Sequence, residues 1–95
     1  MKIELAPEAV EDLVAAVTYL LERNPHAAAT TADTVFAAID KLAAREFEGP
    51  ASELRTTGER VYSWPVRPYR IYYRREAETL VVLRIHHSAR RPISR

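Results

Sequence analysis

No cysteine occurs among the 95 residues. A disulfide framework is therefore excluded, and Cys-based zinc sites go with it. Long apolar runs are missing too: stretches such as residues 80–83 fall far short of the roughly 20 residues a membrane-crossing helix needs. The start, MKIELAPEAVEDL, carries acidic residues where a secretory signal would need an apolar run and a small-residue cleavage site. These absences lead to the expectation of a soluble cytoplasmic protein with no membrane partner. The length suits one domain over residues 1–95, near the lower limit at which packing alone sustains a core. Stability must come from that packing or from a partner.

Lysine is absent from the second half, and this exposes an asymmetry that the overall charge of +1 hides. Residues 1–53 hold 4 Lys or Arg and 10 Asp or Glu, a balance of −6, whereas residues 54–95 hold 10 and 3, a balance of +7. All ten basic residues of the second half are arginines, whose planar guanidinium favours bidentate contacts to carboxylate or phosphate. Acidic helices and a basic sheet that neutralise each other would account for part of this. A sheet covered by helices on one side nevertheless leaves its other face needing a use.

Ile3 and Leu5 alternate with polar residues up to Pro7, the pattern of a brief edge strand. Pro7 suits the first position of a helix, with Glu8, Glu11 and Asp12 near the positive end of its dipole. Val10, Leu13, Val14, Val17 and Leu20 or Leu21 recur at helical spacing until Asn24-Pro25 interrupts. Asn24 is a helix cap and Pro25 a first helical residue, so the break is also a restart. Ala28, Ala32, Val35, Phe36, Ile39, Leu42 and Ala43 form the second stripe. Two amphipathic helices so tightly joined make an antiparallel hairpin. From Glu48 to Gly58 the pattern is that of a loop.

Strand character follows: Val61, Tyr62 and Trp64, then Tyr69, Ile71 and Tyr73, then 80–85, with Arg75-Glu76-Ala77-Glu78 turning between the last two. The expected fold is α+β, in the order β-α-α-β-β-β, with the helical hairpin on one face of a small, mainly antiparallel sheet. Alternation places Tyr69, Ile71 and Tyr73 on one face and Arg70, Tyr72 and Arg74 on the other. In the last strand it groups Val81, Leu83 and Ile85 as the apolar set and leaves Leu80, Val82, Arg84 and His86 opposite. The arginine-bearing face is expected to point away from the helices.

The segments APEAVEDL, NPHAA, LRTTGERVYSWP, PYRIYYR and LVVLRIHHSARRP, in this order and spacing, resemble the ParE/RelE toxin superfamily over nearly the whole chain. The ending IHHSARR is similar to the ParE pattern of hydrophobic strand, His, small residue, Ala and Arg, and places His87 and Arg90 on it. The resemblance implies the fold just derived and a type II toxin–antitoxin system, in which a cognate antitoxin holds the toxin inactive. For the ParE branch it implies inhibition of DNA gyrase without nuclease activity. For the RelE branch it implies ribosome-dependent cleavage of mRNA.

Metal-free RNA cleavage needs a base, an acid and cations around the phosphorane. By resemblance Arg70 matches the strand arginine that ribonuclease members place on phosphate, and Arg90 or Arg91 a second in the terminal loop. His86 or His87 supplies the proton-transfer group. The lysines and terminal tyrosine of RelE-type sites are missing, which favours the gyrase reading and leaves acid and base to the histidines. Arg60, Trp64, Arg67, Arg70, Arg84, His87, Arg90 and Arg91 are the candidates for binding target or antitoxin.

Each has a plainer reading. Arg70 and Arg84 can pair with Glu59, Glu76 or Glu78 across the sheet, one histidine can be satisfied at a strand end, and Trp64 can close the core instead of anchoring a partner. His86 and His87 project oppositely and His26 lies in the hairpin, so no metal site is expected, and no cofactor is implied. A plain nucleic-acid-binding module is a third reading, opposed by the near-neutral net charge. The antitoxin is expected to lie across the helical hairpin and reach a sheet edge, with acidic residues meeting some of Arg60, Arg67, Arg70 and Arg84.

Overall fold

A computed structural model describes residues 1–45, 51–53 and 60–87, with backbone only at 51–53 and 60. Strand β1 (Lys2–Leu5) leads into helix α1 (Pro7–Arg23) and helix α2 (Pro25–Ala43), followed by strands β2 (Ala51–Glu53), β3 (Arg60–Val66), β4 (Tyr69–Glu76) and β5 (Thr79–His87). The sheet runs β1-β5-β4-β3-β2. Only β1 is parallel to its neighbour, β5; the other pairings are antiparallel. The expected order therefore stands as a four-stranded mixed sheet under two helices, with the three residues of β2 added at one edge. That addition corrects the loop reading of 48–58. Ala51-Ser52-Glu53 has no apolar alternation, and its strand state comes from pairing with Arg60, Val61 and Tyr62. Among the described residues, no helix is long and apolar enough to cross a membrane.

The hairpin break is built as its residues suggest. The Asn24 side chain accepts a hydrogen bond from the Ala27 N–H at 3.1 Å, and Pro25 opens α2. The packed side of α1 differs from the stripe read from its large residues. Ala9 and Ala16 are buried, with Leu13 packed against the core and Leu20 half-buried. Val10, Val14 and Leu21 are instead 45–58% exposed. The spacing 9, 13, 16, 20 is itself helical, and two alanines in it let the helix lie close to its neighbours. The bulky side chains of α1 therefore do not mark its packed face. On α2 the buried set is Ala28, Val35, Ala38, Ile39, Leu42 and Ala43, while Phe36, expected within it, is 46% exposed.

In β4 the alternation holds: Tyr69, Ile71 and Tyr73 are buried, and Arg70, Tyr72 and Arg74 are half-buried. In β5 it does not. Tyr72 pairs with Arg84 and Tyr73 with Val82, so Leu83 is an extra residue in a β-bulge. Leu80 and Val82 before the bulge and Ile85 after it join the core, whereas Val81 and Leu83 lie outside that cluster. The expected set of Val81, Leu83 and Ile85 is corrected accordingly, because one inserted residue inverts the facing of all that precede it.

Arg75 falls on the core side of β4, opposite Leu80. Its guanidinium donates to the Leu42 carbonyl at 2.9 Å, at the C-terminal end of α2. A cation is favourable there because the last carbonyls of a helix lack intrahelical donors.

Candidate functional site

The face away from the core takes Ser63 from β3, Arg70, Tyr72 and Arg74 from β4, and Arg84 and His86 from β5. Cross-strand pairing fixes this grouping, since Ser63 is opposite Tyr72, Arg70 opposite His86, and Tyr72 opposite Arg84. Arg70 donates from Nη1 to the Ser63 hydroxyl at 2.8 Å. Ser63 is buried, so its short side chain holds the guanidinium against the sheet. Arg74 pairs with Glu76 two residues on. Among the described residues, Arg70 makes no ion pair, and a half-buried guanidinium held only by a hydroxyl has N–H groups ready to donate to an anionic group.

Arg84 departs from its expected role. Its Nε and Nη2 donate to Asp12 of α1 at 2.7 and 3.0 Å, and the Ile85 N–H donates to the same carboxylate at 2.9 Å. β1 pairs with β5 only as far as Val82, so the carboxylate occupies the edge of β5 beyond the end of β1. The hydrogen bond to Asp12 raises the Arg84 pKa against the opposing effect of burial, and the charges of Asp12, Glu8 and Glu11 add to the rise. The arginine expected on the face turned from the helices thus ties that face to a helix. Neither Arg70 nor Arg84 takes the expected partners Glu76 and Glu78, and Glu59 lies outside the described residues.

The two histidines separate. His86 stands opposite Arg70 on the arginine face, whereas His87 stands opposite Tyr69 and meets its ring edge-on at 5.1 Å between centroids. Trp64, opposite Ile71, is partly buried and packs against the core, as in the plainer of its two readings. Arg67 is exposed in the turn between β3 and β4. The side chain of Arg60, and Arg90 and Arg91 entirely, lie outside the described residues.

The sequence pattern gives Asp12 only an effect on the helix dipole and Ser63 no role, and it puts Arg75 and Glu76 in the turn before β5; both instead belong to β4, where pairing with Leu80 and Thr79 extends the strand and leaves only Ala77 and Glu78 to turn. A signal existed for Asp12 and Arg75. Asp12 sits beside Leu13 at the margin of the packed side of α1, and Arg75 continues the core phase of Tyr69, Ile71 and Tyr73; a charge at such a position requires a partner.

A helical hairpin on a small mixed sheet, with arginines across the sheet's other face, is the α+β architecture of the ParE/RelE kind. The family model for the ParE toxin of the type II toxin–antitoxin system parDE matches residues 3–92. The chain belongs to that family. A solved structure of the chromosomal ParDE TA system from P. aeruginosa has the same fold, with a TM-score of 0.73 at 21% identity, over 92% of this chain and 95% of that one. No curated protein matches. The protein is thus a ParE toxin of a type II system, and such a system implies an antitoxin partner.

Proposed function

We propose that this toxin arrests growth in the cytoplasm by binding and inhibiting DNA gyrase without cutting RNA, and that its cognate antitoxin neutralises it. The observation that carries the non-catalytic part is the separation of the histidines. Cleavage by this chain would place acid and base on histidine, yet only His86 shares a face with Arg70, and His87 packs on Tyr69 on the other side. Arg84, a second cation of that face, is already engaged by Asp12. What remains on the face serves binding: an arginine that no carboxylate of the described residues engages, a tyrosine and a histidine. Membership of the ParE branch supports gyrase as the target.

The antitoxin is assigned to the helical side. Val10, Val14 and Leu21 share one flank of α1 at helical spacing and are about half exposed or more, as is Phe36 on α2; apolar ridges left open in this way mark interaction surfaces.

The ribonuclease alternative keeps one supporting observation, the proximity of Arg70, Tyr72 and His86. Expression of the wild type and of His86→Gln, each with and without the antitoxin encoded beside the gene, separates the two. Glutamine keeps hydrogen bonding but cannot transfer protons. Growth arrest by both proteins, relieved by the antitoxin, is the expected result. Loss of arrest in His86→Gln with the fold intact, together with message cleavage by the wild type, would replace gyrase by RNA.

A further inference from the structure

A pocket of about 360 Å³ opens between the end of the helical hairpin and the β3–β4 turn. Ala16 of α1 and Thr31 of α2 line it from the helices, and Pro68, Tyr69 and His87 from the sheet. Ala16 contributes only a methyl group to its wall. The volume lies at the lower end of the range of about 300–1,000 Å³ for ligand sites. It suits one large side chain better than a cofactor. The walls are chiefly aromatic and aliphatic, with the Thr31 hydroxyl and the His87 imidazole as the polar groups.

Arginines adjoin the lining on the helix and on the sheet side. Tyr19, which also lines the pocket, is 52% exposed, and the Arg23 guanidinium lies 3.7 Å from its ring centroid. Exposed Arg67 immediately precedes Pro68 of the lining, in the β3–β4 turn. Arg23 donates to the Tyr19 carbonyl at 3.0 Å, and its ion pair with Glu22, at 3.5 Å, is marginal and exposed; such pairs give way readily to a better-placed anion. An apolar cavity whose lining adjoins two exposed arginines, Arg23 over Tyr19 and Arg67 next to Pro68, suits a large apolar residue flanked by carboxylates.

We propose that this pocket receives a large apolar side chain, aromatic or branched, from the cognate antitoxin, with neighbouring carboxylates of the same segment on Arg23 and Arg67. The proposal rests on the antitoxin reading above and adds to it an anchor point and its chemistry. Anchors of this kind concentrate binding energy in a few desolvated contacts, while the charged rim speeds association.

The test uses the full-length toxin and the antitoxin encoded beside it. Thr31→Phe fills the pocket from its wall, and Arg23→Glu with Arg67→Glu reverses the rim without touching the core. Filling the pocket is expected to weaken antitoxin binding by about thirtyfold or more, the scale of a hot-spot residue. Rim reversal is expected to lower the association rate by about tenfold and to remove its dependence on salt. Wild-type affinity in both variants, within about twofold, would overturn the proposal while leaving the antitoxin reading intact. Failure of the wild type to bind the antitoxin would overturn that reading and the proposal with it. Concentration-dependent self-association of the toxin that Thr31→Phe abolishes would assign the pocket to a second copy of the chain and overturn it as well. Should Thr31→Phe not fold, the rim variant decides.

Discussion

In the variant Asp12→Ala three hydrogen bonds disappear together, two from the Arg84 guanidinium and one from the Ile85 amide. The Asp12 and Arg84 side chains are 18% and 38% exposed, respectively, so the two partners of the ion pair are not equivalent. A guanidinium exposed to that extent can turn to water when its partner is lost, and the pair itself is then worth about 1 kcal/mol or less. The Ile85 amide is part of a strand edge and is less easily rehydrated; leaving such a donor unsatisfied costs about 1–3 kcal/mol. Asp12→Ala should therefore lose about 2–3 kcal/mol, a large share of a total of about 5–15 kcal/mol for a small domain. Arg84→Ala leaves the carboxylate still bound to the amide and should lose about 1 kcal/mol or less. Urea titration followed by circular dichroism measures both, with equal m-values expected if only the folded state is altered. The corresponding fall in Tm is roughly 10–20 °C for Asp12→Ala.

The pH dependence follows from the raised pKa of Arg84. A basic group whose folded-state pKa lies above its unfolded value stabilises fully below the unfolded value, and that contribution is lost only as the pH climbs through the folded value. For arginine this lies far into the alkaline range, so the gap between wild type and Arg84→Ala should stay flat through neutral and mildly alkaline pH. Equal losses in the two variants, or a larger loss for Arg84→Ala, would refute the reasoning, because the pair and not the capped amide would then be the stabilising element.

Ala77 has a positive φ of 44° in the turn between β4 and β5, where glycine is at ease, so Ala77→Gly should stabilise by up to about 1 kcal/mol in thermal melts. Asn24→Ala removes the α2 cap seen at Ala27 and should cost about 1 kcal/mol in the same assay. Arg75→Met keeps bulk against the core but gives up the donor to the Leu42 carbonyl; a loss of about 1–2 kcal/mol is expected in urea titration, with earlier exchange of amides near the end of α2.

The elements legible in the sequence were those set by local chemistry: the Asn24-Pro25 break, the helix start at Pro7, and the alternation of β4. What failed to show depends on contacts between distant segments. Strand β2 exists because β3 lies beside it, and the bulge at Leu83 follows from fitting β5 to β4, so neither leaves a mark in the local pattern. The packed side of α1 does not show in its bulky residues, because Ala9 and Ala16 bury little area each, yet they decide how closely the helix can pack. On the arginine face the residue types were readable, including the opposite projection of His86 and His87. Their partners were not. Arg84 meets Asp12 from 72 residues away, a pairing that only the crossing of α1 over the edge of β5 creates.

Inhibition of a target without catalysis is tested most directly by titrating purified, antitoxin-free toxin into a supercoiling reaction with DNA gyrase and, in parallel, into a translation mixture in which message cleavage is mapped. Dose-dependent loss of supercoiling that added antitoxin reverses, with the message left intact, is the expected result. Full supercoiling activity at every dose, accompanied by cleaved ribosome-bound message, would contradict it.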